Sequence, residues 1–145
     1  MPNLTIRLAA AADADDVWSL VQDFAPTFRP EREAFDRTFQ SLVEASQVLV
    51  LVAEQSDGSV VGYLIGHCRA TFLASGRVAW VEEVMVHERE RRNGLGRALM
   101  LEVESWAESQ GAAYVSLASR RAGDFYRGLA YEDAATFFKK ALNSQ

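Results

Sequence analysis

Apolar residues recur along the chain with two periods, and the switches between them set the expected elements. Thr5–Leu8 alternates polar and apolar positions as a first strand does. Asp13 or Asp15 can then cap a helix carrying Val17, Trp18, Leu20, Val21 and Phe24 at three- and four-residue spacing. Pro26 and Pro30 break the chain. A second helix is expected from about Glu31, with Phe35, Phe39, Leu42 and Val43 on one face. The β-branched run Gln47–Glu54 reads as a buried strand. Ser56-Asp57-Gly58-Ser59 carries an Asp-Gly hairpin signal leading into a strand from Val60 to Cys68 or a little beyond. Gly62 and Gly66 inside that strand predict a bulge or the close approach of another backbone. Arg77–Val86 follows as a fourth strand. A long helix from about Asn93 to Gln110 stops at Gly111. Ala113–Ala118 reads as a fifth strand, Arg121–Gly128 as a short helix, and a last strand runs through Phe137 and Phe138.

Early hairpins followed by a βαβ crossover predict one α/β domain over residues 1–145. Its expected sheet is mixed and mostly antiparallel, of six to seven strands, with helices on both faces. Composition agrees: 49% apolar and 24% charged residues describe a globular chain. No apolar run approaches the ~20 residues needed to cross a bilayer, and the first residues lack the pattern of a secretory signal. No membrane partner is therefore expected. A single cysteine, Cys68, excludes an internal disulfide and points to a reducing compartment, the cytoplasm. Cys68 is most simply a strand residue. His67 and His87 lack metal-ligand spacing, so no metal is expected.

The net charge of −5 argues against nucleic acid as a partner. The positive charge is nevertheless concentrated, with Arg89, Arg91, Arg92 and Arg97 close together. These arginines flank Gly94-Leu95-Gly96, where the strand ending at Val86 gives way to the long helix. Glycine admits close approach of a ligand to the backbone. The first amides of a helix lack intrahelical acceptors and carry the positive end of its dipole. Together they suit phosphate oxygens, with Arg91, Arg92 and Arg97 adding charge. A Walker loop is excluded because no lysine and hydroxyl residue follow Gly96. A dinucleotide fingerprint is excluded because its third small residue is missing.

Arg91-Arg92-Asn93-Gly94-Leu95-Gly96 resembles the [Gln/Arg]-x-x-Gly-x-[Gly/Ala] signature of the GNAT superfamily of N-acetyltransferases. The resemblance extends over nearly the whole chain, including the Phe125-Tyr126 pair. It implies that acetyl-CoA is the co-substrate, its pyrophosphate held by the amides of Arg92, Asn93, Gly94, Leu95, Gly96 and Arg97. It also implies that Val84, Met85 and Val86 pair with the pantetheine arm. Position 119, where relatives often carry asparagine beside the cofactor, is Ser119 here, with a shorter reach.

Acetyl transfer to an amine needs a proton acceptor and a donor to the leaving thiolate. Glu82 and Glu83, at the end of the strand that would carry the cofactor, match positions where relatives place a basic carboxylate. Strand alternation leads one to expect that only one of them reaches the site. The alternative is that both are ordinary exposed strand residues. Tyr126 is the candidate acid or, alternatively, a tyrosine packed at the core edge. Phe24, Phe28 and Arg29 are candidate acceptor contacts, since the resemblance puts one wall of the acceptor pocket there. The expected function is transfer of acetyl from acetyl-CoA to a primary amine of a small molecule or peptide, by direct attack in a ternary complex. A non-catalytic CoA- or acyl-CoA-binding sensor is the alternative. Many relatives dimerise, and the apolar final segment is a candidate homodimer contact. Ala130, where relatives usually carry glycine, is expected either to be strained or to force a different turn.

Overall fold

A computed structural model describes residues 4–24 and 29–142. Five strands form one sheet in the order β1-β2-β3-β4-β5: Leu4–Leu8, Val48–Gln55, Val60–Thr71, Gly76–Val86 and Ala112–Leu117. The pairings from β1 to β4 are antiparallel, and β4 to β5 is parallel. Helices α1 (Ala14–Phe24) and α2 (Arg32–Glu44) cover one face. There Val17, Leu20 and Phe39 bury against Val52, Tyr63 and Met85. Helices α3 (Leu95–Ser109) and α4 (Gly123–Gly128) cover the other face. There Leu95, Leu99, Met100, Val103 and Tyr126 pack on Leu51, Leu64 and Val81.

Local chemistry accounts for most element ends. The β2–β3 hairpin turns at Gly58, φ +89°, and the Asp57 carboxylate accepts from the Ser59 amide at 2.9 Å. Gly62 marks the close approach of another backbone, since a Cβ there would lie 3.0 Å from the Met85 carbonyl of β4, Gly66 sits at a register shift in the ladder, and both also face helix α3. A Cβ on Gly66 would lie 3.0 Å from Cγ2 of Val103, and one on Gly62 would lie 3.1 Å from Cδ2 of Leu95. Asp13 does not cap α1 from outside. It lies in a short 3-10 turn, Ala11–Asp13, and reaches back to accept the Ala10 amide at 2.7 Å. The same carboxylate receives Arg7 through two bonds of 2.8 Å, and Arg7 also contacts Glu54.

The sheet has five strands and not the expected six to seven. The segment containing Phe137 and Phe138 adopts no regular structure. The cause lies at the end of α4. Ala130 takes φ +72°, with the Ala130 amide bonded to the Arg127 carbonyl and the Tyr131 amide to the Tyr126 carbonyl, both at 3.0 Å. This is a Schellman ending with alanine in the left-handed position that glycine normally fills. Arg127 then pairs with Asp133 at 3.3 Å, and the Tyr131 hydroxyl donates to Glu104 at 2.8 Å. These contacts fix the direction in which the arm 131–142 leaves. Phe137 stacks on Trp80 at 6.4 Å instead of entering a ladder beside β5.

The fold yields two predictions. The Arg7 guanidinium holds the Asp13 carboxyl below the usual carboxylate range. A depressed folded-state pKa stabilises fully above the unfolded value of about 3.9, and that contribution disappears as pH falls through the lower folded value. Asp13→Asn is expected to lower stability by about 2 kcal/mol at pH 7. In urea titrations its deficit against the parent should shrink towards pH 2; a deficit independent of pH would refute the linkage. Ala130→Gly is expected to stabilise by about 0.5–1 kcal/mol, raising Tm by about 2–4 °C in a thermal scan, because it removes the left-handed alanine.

Candidate functional site

Strand β4 pairs with β5 only over its first half, while β5 is paired to its last residue. Register runs from Arg77 opposite Ala112 to Val81 opposite Leu117, and Glu82–Val86 has no partner on β5. On its other side β4 stays paired with β3 to Val86. The His87 amide donates to the Val61 carbonyl across that pair at 2.7 Å. By the alternation of an antiparallel ladder, the backbone groups of Val84 and Val86 turn into the gap, while those of Met85 turn to β3. The Val86 carbonyl already accepts from Nε of Arg91 at 3.2 Å.

At the mouth of the gap stands the arginine–glycine loop. Gly94 is left-handed, φ +81°, and precedes α3, which begins at Leu95 and not at Asn93. The first intrahelical bond runs from the Ala98 amide to the Gly94 carbonyl at 3.0 Å. The amides of Leu95, Gly96 and Arg97 are thus without helical acceptors. Arg92 also holds a positive φ, +71°. Arg92 and Arg97 are exposed, and no ion pair engages either among the described residues. Asn93 is turned to the fold: its amide donates to Glu90 at 3.5 Å, and Gln55 donates to the same oxygen at 2.8 Å. Gly96 has a packing reason as well. A Cβ there would stand 3.2 Å from the Phe125 ring. Free amides, an open left-handed glycine and unpaired guanidiniums fit a pyrophosphate, and the β4 gap fits an extended arm.

Tyr126, on α4, is buried at 9% exposure between Phe125 and Tyr131, both edge-on at 5.0 and 6.0 Å. It packs in the same cluster as Val81, Val84 and Leu95, where the strands part. No hydrogen bond within the described chain uses its hydroxyl, and no buried side-chain oxygen is left unsatisfied. The hydroxyl therefore keeps some access to solvent, and Tyr126 is among the residues lining a cleft of about 1210 Å³ formed by β5, α4 and the arm. Burial raises its pKa above the ordinary phenol value, so it carries its proton at neutral pH. Ser119 is exposed, and its Oγ accepts from the Ala122 amide at 3.0 Å, fixing the turn into α4.

The two glutamates occupy the same face, contrary to the expectation from alternation. Ile65 is opposite Glu83 and Gly66 is opposite Val81, so Glu82 is an extra residue in β4. Val81 and Val84 consequently both pack on the α3 side. This bulge leaves Glu82 and Glu83 together on the α1–α2 side, lining one cavity of about 260 Å³. The Tyr63 hydroxyl donates to Glu83 at 2.6 Å from a residue only 1% exposed. Burial, and then the Glu83 charge, drive the Tyr63 pKa upwards. Glu82 lies 3.9 Å from Nε2 of His67. Sequence reading missed Tyr63 and His67. Their strand alternation was visible, but the bulge that brings them beside the acids was not.

The helices supply the rest of the cavity wall through Val17, Val21, Phe35, Phe39 and Leu42. Phe24 is exposed at the end of α1 and is not part of that lining; Arg29 is also exposed. Phe28 lies outside the described residues. Among the described residues, no cluster of three or more His, Cys, Asp or Glu is placed to hold a metal, and no helix is long and apolar enough to cross a membrane.

No curated protein matches the chain at a significant level. Solved structures resemble it in fold at low identity. An acetyltransferase from Trypanosoma brucei is 21% identical, with a TM-score of 0.83 over 97% of this chain and 100% of that one. Glucosamine-6-phosphate N-acetyltransferase from Arabidopsis thaliana is 20% identical, with a TM-score of 0.86 over 97% and 99%. An aminoglycoside N-acetyltransferase in complex with CoA is 15% identical, with a TM-score of 0.81 over 99% and 97%. Residues 14–131 match the Acetyltransferase (GNAT) family. The chain belongs to the GNAT family of acetyltransferases.

Proposed function

We propose that this protein transfers the acetyl group of acetyl-CoA to a primary amine in a ternary complex. The observation that carries the reading is the placing of Glu82 and Glu83 on one cavity directly beside the β4 gap. When bound, acetyl-CoA supplies an activated acyl carbon and a thiolate leaving group. The loop amides from Leu95 to Arg97, with Arg92 and Arg97, hold its pyrophosphate, and Val84 and Val86 align its arm. Glu82 accepts the proton that the ammonium must lose before attack. Glu83, fixed by Tyr63, is a stationary negative charge beside the same amine. The Tyr126 hydroxyl donates its proton to the departing sulfur. A reducing compartment, the cytoplasm, suits the single buried Cys68.

The protein is proposed to work as a homodimer. Among the described residues β5 pairs on one edge only, and Phe72, Leu73, Phe137, Phe138 and Leu142 are exposed. An open strand edge and an apolar arm on one chain suit a two-fold, reciprocal contact with a second copy.

Two measurements test these readings. Tyr126→Phe and Glu82→Gln are each expected to lower kcat/KM for an amine acceptor by about 10²-fold, in assays of thiol release, while acetyl-CoA binding is retained. Unchanged rates would remove the assigned acid and base, and acetyl-CoA binding without thiol release from any amine would favour the sensor. Sedimentation should give twice the monomer mass, and Phe137→Ser with Phe138→Ser should return it to one; a monomeric parent would refute the dimer.

A further inference from the structure

Resting on that reading of the site, we propose that the acceptor is a compact monoamine with an apolar branched-alkyl or arylalkyl body. The cavity holding Glu82 and Glu83 has a volume of about 260 Å³. That is the space of roughly nine waters, below the ~300–1,000 Å³ of sites that take drug-sized ligands. A phenethylamine or isopentylamine fits that volume; a trisaccharide does not.

The lining is as selective as the size. Val21, Phe35, Phe39, Leu42 and Ile65 form its body, and the carboxylates occupy one end, beside the β4 gap. Besides the acids, the polar side chains of the lining are Tyr63, committed to Glu83, His67, 3.9 Å from Glu82, and Thr38. A polyamine or an aminoglycoside would place most of its further ammonium or hydroxyl groups against apolar side chains, where an unpaired polar group is costly. A single cation ending in hydrocarbon meets charge at one end and apolar surface at the other.

The described part of the cavity wall also disfavours a polypeptide. Arg32, at the start of α2, bonds Asp15 of α1 at 2.6 Å and Asp36 at 2.9 Å. Its guanidinium lies 5.7 Å from the Trp18 ring centroid, and Trp18 meets Phe35 at 5.3 Å. These contacts tie α1 to α2 beside the apolar wall, which opposes the parting of the two helices that an extended chain would need. The net charge of −5 favours encounter with a cationic acceptor.

The test compares thiol release from acetyl-CoA with phenethylamine, isopentylamine, spermidine, kanamycin and a lysine-containing peptide. Calorimetry of phenethylamine binding to CoA-saturated protein runs beside it. The monoamines are expected to exceed the others in kcat/KM by about tenfold or more. Filling the cavity by Val21→Phe should raise KM for phenethylamine about tenfold, and by a clearly smaller factor for ethylamine, which has no body to displace. Acetyl-CoA binding and Tm serve as controls for folding. Preference for spermidine, kanamycin or the peptide would overturn the substrate class and leave the transferase reading standing. Phenethylamine binding that Val21→Phe abolishes, without thiol release from any amine, would keep the cavity's ligand class and overturn the transferase. Neither binding nor release would overturn both.

Discussion

The parting of β4 from β5 beyond Val81 and Leu117 is the constraint on which the site depends. A parallel pair that stayed closed to its end would use the backbone groups of Val84 and Val86 in a ladder. An open pair with no support would leave β4 a frayed strand. Here β3 holds β4 from the other side as far as Val86, so the strand stays in the sheet while one edge is free. The bulge at Glu82 falls where the partners separate. One extra residue turns a face that would carry a single acid into one that carries two. The open edge of β4 and the paired acids thus meet at a single irregularity in one strand.

Much of this architecture was legible in the sequence because it is written in local chemistry. The hairpin at Asp57-Gly58, the periodicity of Val17, Leu20, Phe35 and Phe39, and the arginine–glycine loop each act within a few residues. The strain at Ala130 was visible for the same reason, since the ending of a helix is a matter of five or six residues. The illegible parts are long-range. The bulge depends on register between β3 and β4 and leaves no mark in the run Val81-Glu82-Glu83-Val84. Period-two reasoning therefore assigned the acids to opposite faces. Tyr63 and His67 were invisible as site residues because their significance comes from what lies across the ladder.

The C-terminal arm shows the same limit from the other direction. Thr136-Phe137-Phe138 has the composition of a strand, yet a strand also needs a neighbour in the right direction. The anchoring of Arg127 to Asp133 and of Tyr131 to Glu104 decides that direction, and none of these contacts is encoded in the apolar run itself. Composition supplies a willingness to pair, and geometry supplies or withholds the partner.

The bare Cα of Gly96 reaches further than the helix start it belongs to. Phe125 rests on that first turn of α3, and Tyr126 rests edge-on against Phe125. Two ring contacts therefore join the arginine–glycine loop to the side chain of Tyr126. The distance from the loop to Tyr126 is gauged by edge-on ring contact rather than by a tethering segment. Positions 96 and 125 are consequently bound to change together: a methyl group at the first calls for a smaller side chain at the second, or the gauge is reset.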